Sequence, residues 1–133
     1  TGITLNLDGT TAFITNFESA TVTKCSISGN TLSNCADSGA TNLAGPQAIA
    51  LNSTGTFAFI TNAFSNLVTR CSVNGDILSN CIDSGATVLS GPRGISLNSA
   101  GTFAFISNYN NGTITQCKVN GGTLSNCART GTR

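Results

Sequence analysis

Short runs of alternating apolar and polar residues recur along the chain. Ile3-Thr4-Leu5-Asn6 puts Ile3 and Leu5 on one side of an extended backbone, and Ile49-Ala50-Leu51-Asn52 and Ile95-Ser96-Leu97-Asn98 repeat the pattern. Each reads as a short strand with one buried face. A turn follows at Asp8-Gly9, Thr54-Gly55 and Ala100-Gly101. The next run is more continuously apolar: Thr11-Ala12-Phe13-Ile14, Phe57-Ala58-Phe59-Ile60 and Phe103-Ala104-Phe105-Ile106. Such a run suits a strand covered on both faces. A third strand alternates Thr23, Cys25 and Ile27 with Val22, Lys24 and Ser26, and its copies do the same. One partly buried and one wet side are expected of it. No 3.6-residue period appears, and the Thr and Phe content disfavours a helix.

The interval between copies is constant. Phe13, Phe59 and Phe105 lie 46 residues apart, as do Cys25, Cys71 and Cys117, and Cys35, Cys81 and Cys127. A period of this size denotes an array of structural repeats. The predicted units are residues 1–46, 47–92 and 93–133, the last with a shortened linker. The chain has no initiating Met and starts and stops inside repeats, so a processed protein, a fragment or a piece of a longer array is expected.

Each unit has a second half with its own logic. Gly29-Asn30, Gly75-Asp76 and Gly121-Gly122 have Gly first in a two-residue loop, the signature of a type II′ hairpin. That turn sets Ile27 opposite Leu32, Val73 opposite Leu78 and Val119 opposite Leu124. The two Cys of each unit are then one residue out of line. One bulge near Ser33-Asn34 brings them together, predicting bonds Cys25–Cys35, Cys71–Cys81 and Cys117–Cys127. A regular hairpin would instead favour bonds between units.

Composition narrows the setting. Of 133 residues, 39% are hydrophobic but only 8% charged, with a net charge of +1. A typical domain is about one quarter charged. A neutral surface rich in Thr, Ser, Asn and Gly lacks the basic stripe that nucleic acid requires. No apolar run approaches the roughly 20 residues of a membrane span. Six Cys in paired positions favour disulfides and an extracellular or cell-surface location for a secreted protein. Zinc is disfavoured by the nine-residue gaps and the lack of His.

The motifs resemble those of known repeats. Leu89-Ser90-Gly91-Pro92-Arg93-Gly94-Ile95-Ser96-Leu97 resembles the Pro-x-Gly-Ile-Ala-Val opening of NHL repeats. Phe105-Ile106-Ser107-Asn108 with Gly112-Thr113-Ile114-Thr115 resembles the Tyr-Val-Thr-Asn…Asn-Thr-Val-Ser units of bacterial secreted and surface propellers. The Cys pair in every unit departs from both. The resemblance implies an all-β protein of three four-stranded antiparallel propeller blades. Closed propellers have four to eight blades, so the outer faces, carrying Phe13, Ile14, Phe105 and Ile106, are expected to need a neighbour. Head-to-tail association into a ring or filament, or further repeats of a longer chain, would provide one.

Candidate chemistry is sparse. The acids are Asp8, Glu18, Asp37, Asp76 and Asp83, and most sit where turns need them. A Ser nucleophile would lack a His base. Propeller lactonases and related hydrolases hold a metal over the channel with carboxylates and Asn or His, whereas the first strands here carry Thr4, Ala50 and Ser96. No catalytic residue, metal site or cofactor is assigned. The candidate ligand-binding residues are Phe17, Phe64, Asn66, Tyr109 and Asn110, in loops after the second strand, where rings and amides suit a sugar. Their alternative role is packing between blades. Asn52 and Asn111 begin glycosylation sequons, a pattern that a Thr- and Asn-rich chain also produces by chance. The leading expectation is therefore a non-catalytic extracellular assembly module. A glycan-binding propeller is the alternative, and a propeller hydrolase fragment the weakest.

Overall fold

A computed structural model describes residues 2–132. Thr1 and Arg133, the outer limits of the first and third predicted units, lie outside the described residues. Twelve strands run in chain order. The first sheet holds β1 (Ile3–Leu5), β2 (Thr11–Asn16), β3 (Thr21–Ser28) and β4 (Thr31–Asp37). The second holds β5 (Pro46–Leu51), β6 (Phe57–Asn62), β7 (Leu67–Asn74) and β8 (Ile77–Asp83). The third holds β9 (Pro92–Leu97), β10 (Phe103–Asn108), β11 (Thr113–Asn120) and β12 (Thr123–Thr132). All neighbouring strands are antiparallel. These are three propeller blades, and they do not close into a ring.

The outer hairpins take the predicted register, with Ile27 opposite Leu32, Val73 opposite Leu78 and Val119 opposite Leu124. Gly29, Gly75 and Gly121 have φ of +64°, +63° and +60°. The residue after each is not in the left-handed region, as a type II′ turn requires. The ladder then slips between Lys24 and Ser26, between Arg70 and Ser72, and between Gln116 and Lys118. Asn34, Asn80 and Asn126 absorb each slip at φ of about +50°. The slip brings the Cys side chains together, and all three bonds form within blades: Cys25–Cys35, Cys71–Cys81 and Cys117–Cys127.

Two apolar cores lie between blades. One joins Phe13 and Val22 of the first blade to Ile49, Ile60, Cys71 and Leu78 of the second. The other joins Phe59 and Val68 to Ala104, Ile106, Cys117 and Leu124. Linkers contribute Ala40 and Ala86 to these cores. Phe13 and Ile106 are therefore fully buried, contrary to the expectation that they stand bare. The bare pair is Ile14, half-buried at one end, and Phe105, 40% exposed at the other. Two further details differ from expectation. β5 and β9 begin at Pro46 and Pro92, ahead of the alternating run, through an irregular register. Both faces of β7 are covered near its start, at Val68 and Thr69, because the preceding linker lies on it.

The linkers leave the sheet for a chemical reason. A carboxylate oxygen of Asp37 accepts the Gly39 N–H at 2.9 Å, and Asp83 does the same for Gly85. Each turns the chain toward the next blade. The third copy has Arg129 at this position, which has no acceptor to offer. There the chain stays on its own sheet, and β12 runs on to Thr132 with Gly131 opposite Ile114.

Candidate functional site at the channel mouth

The innermost strands β1, β5 and β9 stand side by side along the concave surface. Between them is a cavity of about 440 Å³ lined by Thr4, Ala50, Asn52, Ser96 and Asn98 among apolar residues. The linkers and the loops after β2, β6 and β10 gather at the end where β5 and β9 start. That end is the mouth, and it carries the candidate ligand residues.

Most of those residues are engaged with the backbone or with each other. The Phe17 and Phe64 rings meet edge to face at 4.9 Å. They sit over Gly45, where an added Cβ would lie 2.9 Å from Phe64 Cδ2. Asn66 Oδ1 accepts the Gly91 N–H at 2.7 Å, and the Asn110 side chain lies against Gly91. These four side chains thus clamp the two Gly-Pro corners where the linkers meet the inner strands. Asn62 and Asn108, at the ends of β6 and β10, are also internally satisfied. Asn62 donates to the Thr69 hydroxyl at 2.9 Å and accepts the Ala44 N–H at 3.1 Å. Asn108 makes the matching bonds to Thr115 and Ser90.

Tyr109 differs. It is 62% exposed, and the Arg93 guanidinium carbon lies 3.8 Å from its ring centre. Such stacking holds a guanidinium while leaving its donors in plane and open. Arg93 is exposed and has no acid partner among the described residues, where the ion pair is Lys24–Asp76 at 2.8 Å. The pair opens on a cavity of about 300 Å³ that also touches Ser107 and Ile114. Those two stand where Thr61 and Val68 are covered by the following blade, so that part of the cavity is the blade's open edge. Arg93 and Tyr109 form its mouth. Glu18 lies at the mouth of the first blade, beside Asn16 and Gln47.

Arg93 was absent from the residues read as functional in the sequence. The available signal was its departure from the repeat, since the matching position in the previous unit is Gln47.

The acids and the sequons also have clear places. Asp8 accepts bonds from the Thr10 hydroxyl and N–H, which hold its carboxyl below the ordinary 3.8. Asp37 and Asp83 form the linker turns. Asn52 is buried, with its oxygen taken by the N–H groups of Thr56 and Phe57. Asn111 is exposed and accepts the Thr113 hydroxyl at 2.7 Å. No group of three metal-ligating side chains exists among the described residues. The inner strands offer hydroxyl, methyl and amide groups, so this part of the channel wall does not fit a carboxylate- or imidazole-held metal.

Residues 3–132 match the family described as lactonase, 7-bladed beta-propeller, and the chain belongs to that family. Solved structures agree on the fold. A protein assigned as a 6-phosphogluconolactonase from Bacteroides uniformis is 22% identical, with a TM-score of 0.76 over 99% of this chain and 41% of its own. The periplasmic gluconolactonase of Pseudomonas aeruginosa is 18% identical, with a TM-score of 0.74 over 95% of this chain and 38% of its own. A chain of the nidogen/laminin complex is 18% identical, with a TM-score of 0.77 over 96% and 46%. No curated protein matched the sequence. The chain spans about two fifths of the length of the gluconolactonases it matches.

The family overturns the expectation of a non-catalytic assembly module, and with it the expectation that the protein is not an enzyme. The physical reason is partial coverage. The family's propellers have seven blades, and the chain spans about two fifths of the gluconolactonases it matches, so the side chains of three blades do not describe a family member's whole site. The three disulfides place the chain in an oxidising environment, extracellular or periplasmic.

Proposed function

We propose that the chain supplies three blades of a secreted lactonase-type propeller that hydrolyses a sugar lactone. In this reading Arg93 is the ligand-facing cation at the channel mouth. The observation that carries it is the Arg93–Tyr109 pair at 3.8 Å, a held guanidinium with no acid partner among the described residues, within a family of lactonases. Hydrolysis adds water to the lactone carbonyl and breaks the bond from that carbon to the ring oxygen, leaving a hydroxy acid. Negative charge grows on the carbonyl oxygen and ends on the carboxylate. A fixed guanidinium aimed at that oxygen stabilises it more than bulk water does. The neutral inner strands, with the Thr4 and Ser96 hydroxyls, suit a polyhydroxylated ring. The structural neighbours named for 6-phosphogluconolactone and gluconolactone support that substrate class.

The test is hydrolysis of an aldonolactone by the full-length protein, followed by pH-stat. Arg93→Gln restores the residue of the preceding repeat and should leave the fold intact. It is expected to lower kcat/KM by about tenfold to a thousandfold. Hydrolysis no faster than the spontaneous rate would overturn the reading. An unchanged kcat/KM in the variant would remove Arg93 from it.

A further inference from the structure

The fold treats the two sequons differently. Asn52-Ser53-Thr54 and Asn111-Gly112-Thr113 both read Asn-x-Thr. Asn52 is buried and spent on its own turn. Its Nδ2 donates to the Thr54 and Thr56 hydroxyls at 3.2 and 3.1 Å, and its Oδ1 accepts the N–H groups of Thr56 and Phe57 at 2.9 Å. The Oδ1 atoms of Asn6 and Asn98 close the matching turns of the other blades. Asparagine is therefore a turn-forming residue of the repeat at this position, and Thr54 alone completes the sequon.

Asn111 instead departs from the repeat, where Ser19 and Ser65 stand at its position. All three are exposed. Ser65 belongs to the second blade, which is packed on both sides, so this position stays open when both neighbours are present. Gly112, at φ +68°, turns the chain so that Asn111 Oδ1 accepts the Thr113 N–H at 3.2 Å and its hydroxyl at 2.7 Å. The Asn111 Nδ2 has no partner among the described residues.

We propose that Asn111 carries an N-linked glycan and that Asn52 does not. The donor class is an oligosaccharide on a lipid diphosphate, supplied with its transferase by the oxidising compartment in which the disulfides form. The amide nitrogen bonds to the anomeric carbon, and the bond from that carbon to the diphosphate oxygen breaks. The lipid diphosphate leaves with the electron pair, and one Nδ2 proton passes to solvent. A sugar on Asn111 Nδ2 stands in solvent while Oδ1 keeps both bonds from Thr113. A sugar on Asn52 Nδ2 would occupy the buried turn and displace its bonds to Thr54 and Thr56. Gly112 and Thr113 line the cavity that Arg93 and Tyr109 open, so the glycan stands at the rim of the channel mouth. The proposal is independent of the lactonase chemistry.

The test expresses the full chain behind a secretion leader in a eukaryotic host and weighs its tryptic peptides before and after peptide N-glycosidase. Cleavage after Lys24, Arg70, Arg93 and Lys118 puts Asn52 and Asn111 on separate peptides, 25–70 and 94–118. Most of the secreted chain is expected to carry hexose and N-acetylhexosamine mass on peptide 94–118, assigned to Asn111 by fragmentation, and none on 25–70. A digest without the glycosidase separates enzymatic release from spontaneous deamidation at Asn111-Gly112. Asn111→Ser restores the residue of the preceding repeats and should abolish the modification, with the fold retained by circular dichroism. An unmodified peptide 94–118 from a host that glycosylates a control sequon would overturn the proposal. So would a glycan on Asn52 of the secreted chain.

Discussion

Leu32, Leu78 and Leu124 provide an internal control, because one repeat position appears in two environments. Leu78 and Leu124 are sealed by linkers, and Leu32 is 46% exposed. Leu78→Ala removes a fully packed side chain and leaves a cavity between Ala40, Ile60 and Cys81. Such truncations cost about 2–5 kcal/mol, and a site walled by a disulfide and a neighbouring blade relaxes little, so about 3 kcal/mol is expected. Leu124→Ala should cost a similar amount. Leu32→Ala creates no cavity and loses only part of a transfer free energy of about 1.5–3 kcal/mol, so less than about 1 kcal/mol is expected. Urea unfolding followed by circular dichroism reads the difference. With an m-value of about 2 kcal/mol/M, the buried variants should lower the midpoint by about 1.5 M and Leu32→Ala by under 0.5 M. Equal losses at all three positions would refute the reasoning, because they would mean that the first blade's face is covered in solution.

Val88 has φ of +62°, a region that a β-branched residue occupies under strain, while the matching Asn42 sits at +58° and donates to the Cys81 carbonyl. Val88→Asn should therefore stabilise the chain by about 1 kcal/mol and raise Tm by about 3–5 °C; an unchanged or lower Tm would count against the strain. Among the disulfides, Cys25–Cys35 should be reduced first, because Cys35 is exposed while Cys81 is buried. Differential alkylation and mass spectrometry under limiting reductant would show this, and simultaneous loss of all three would contradict it. The Lys24 hydrogen bond holds the Asp76 carboxyl below the ordinary 3.8. A depressed folded-state pKa adds stability above the unfolded value and loses it as pH falls through the folded one. Asp76→Asn should thus lower Tm near pH 7, less so in high salt, and the difference should fade as the pH drops below the ordinary 3.8 and through the lowered folded-state value.

Features decided within one repeat were legible in the sequence, because three copies state them. Gly29, Gly75 and Gly121 specify the turn, and the Cys spacing then forces the slip that Asn34, Asn80 and Asn126 absorb. Features decided between repeats were not legible. Phe13, Phe59 and Phe105 look alike in sequence, yet the first two are sealed by a following blade and the third is 40% exposed. Asn52 reads as a surface acceptor until its carbonyl oxygen is seen closing the turn at Thr56 and Phe57. The loop residues Phe17 and Phe64 have the chemistry of a binding surface, and the sequence does not show that their rings meet edge to face while Phe64 stays exposed.

The same contrast locates function. A reaction centre brings together unlike groups, whereas a perfect repeat offers the same group at each blade. The groups repeated here, Asn62 with Thr69 and Asn108 with Thr115, are saturated by the linkers and serve the fold. Chemistry is left to the positions that break the pattern. Lys24 corresponds to Arg70 and Gln116, and it is spent on the blade-to-blade ion pair with Asp76. Arg129 corresponds to Asp37 and Asp83, and it pairs with Thr115 within its own sheet. Arg93 corresponds to Gln47, and neither an ion pair nor a backbone turn accounts for it. Its contact is with Tyr109, another residue that breaks the pattern, at the mouth of the channel. Among the described residues Arg93 has no acid partner, and in the function proposed above it meets the carboxylate released when a lactone opens.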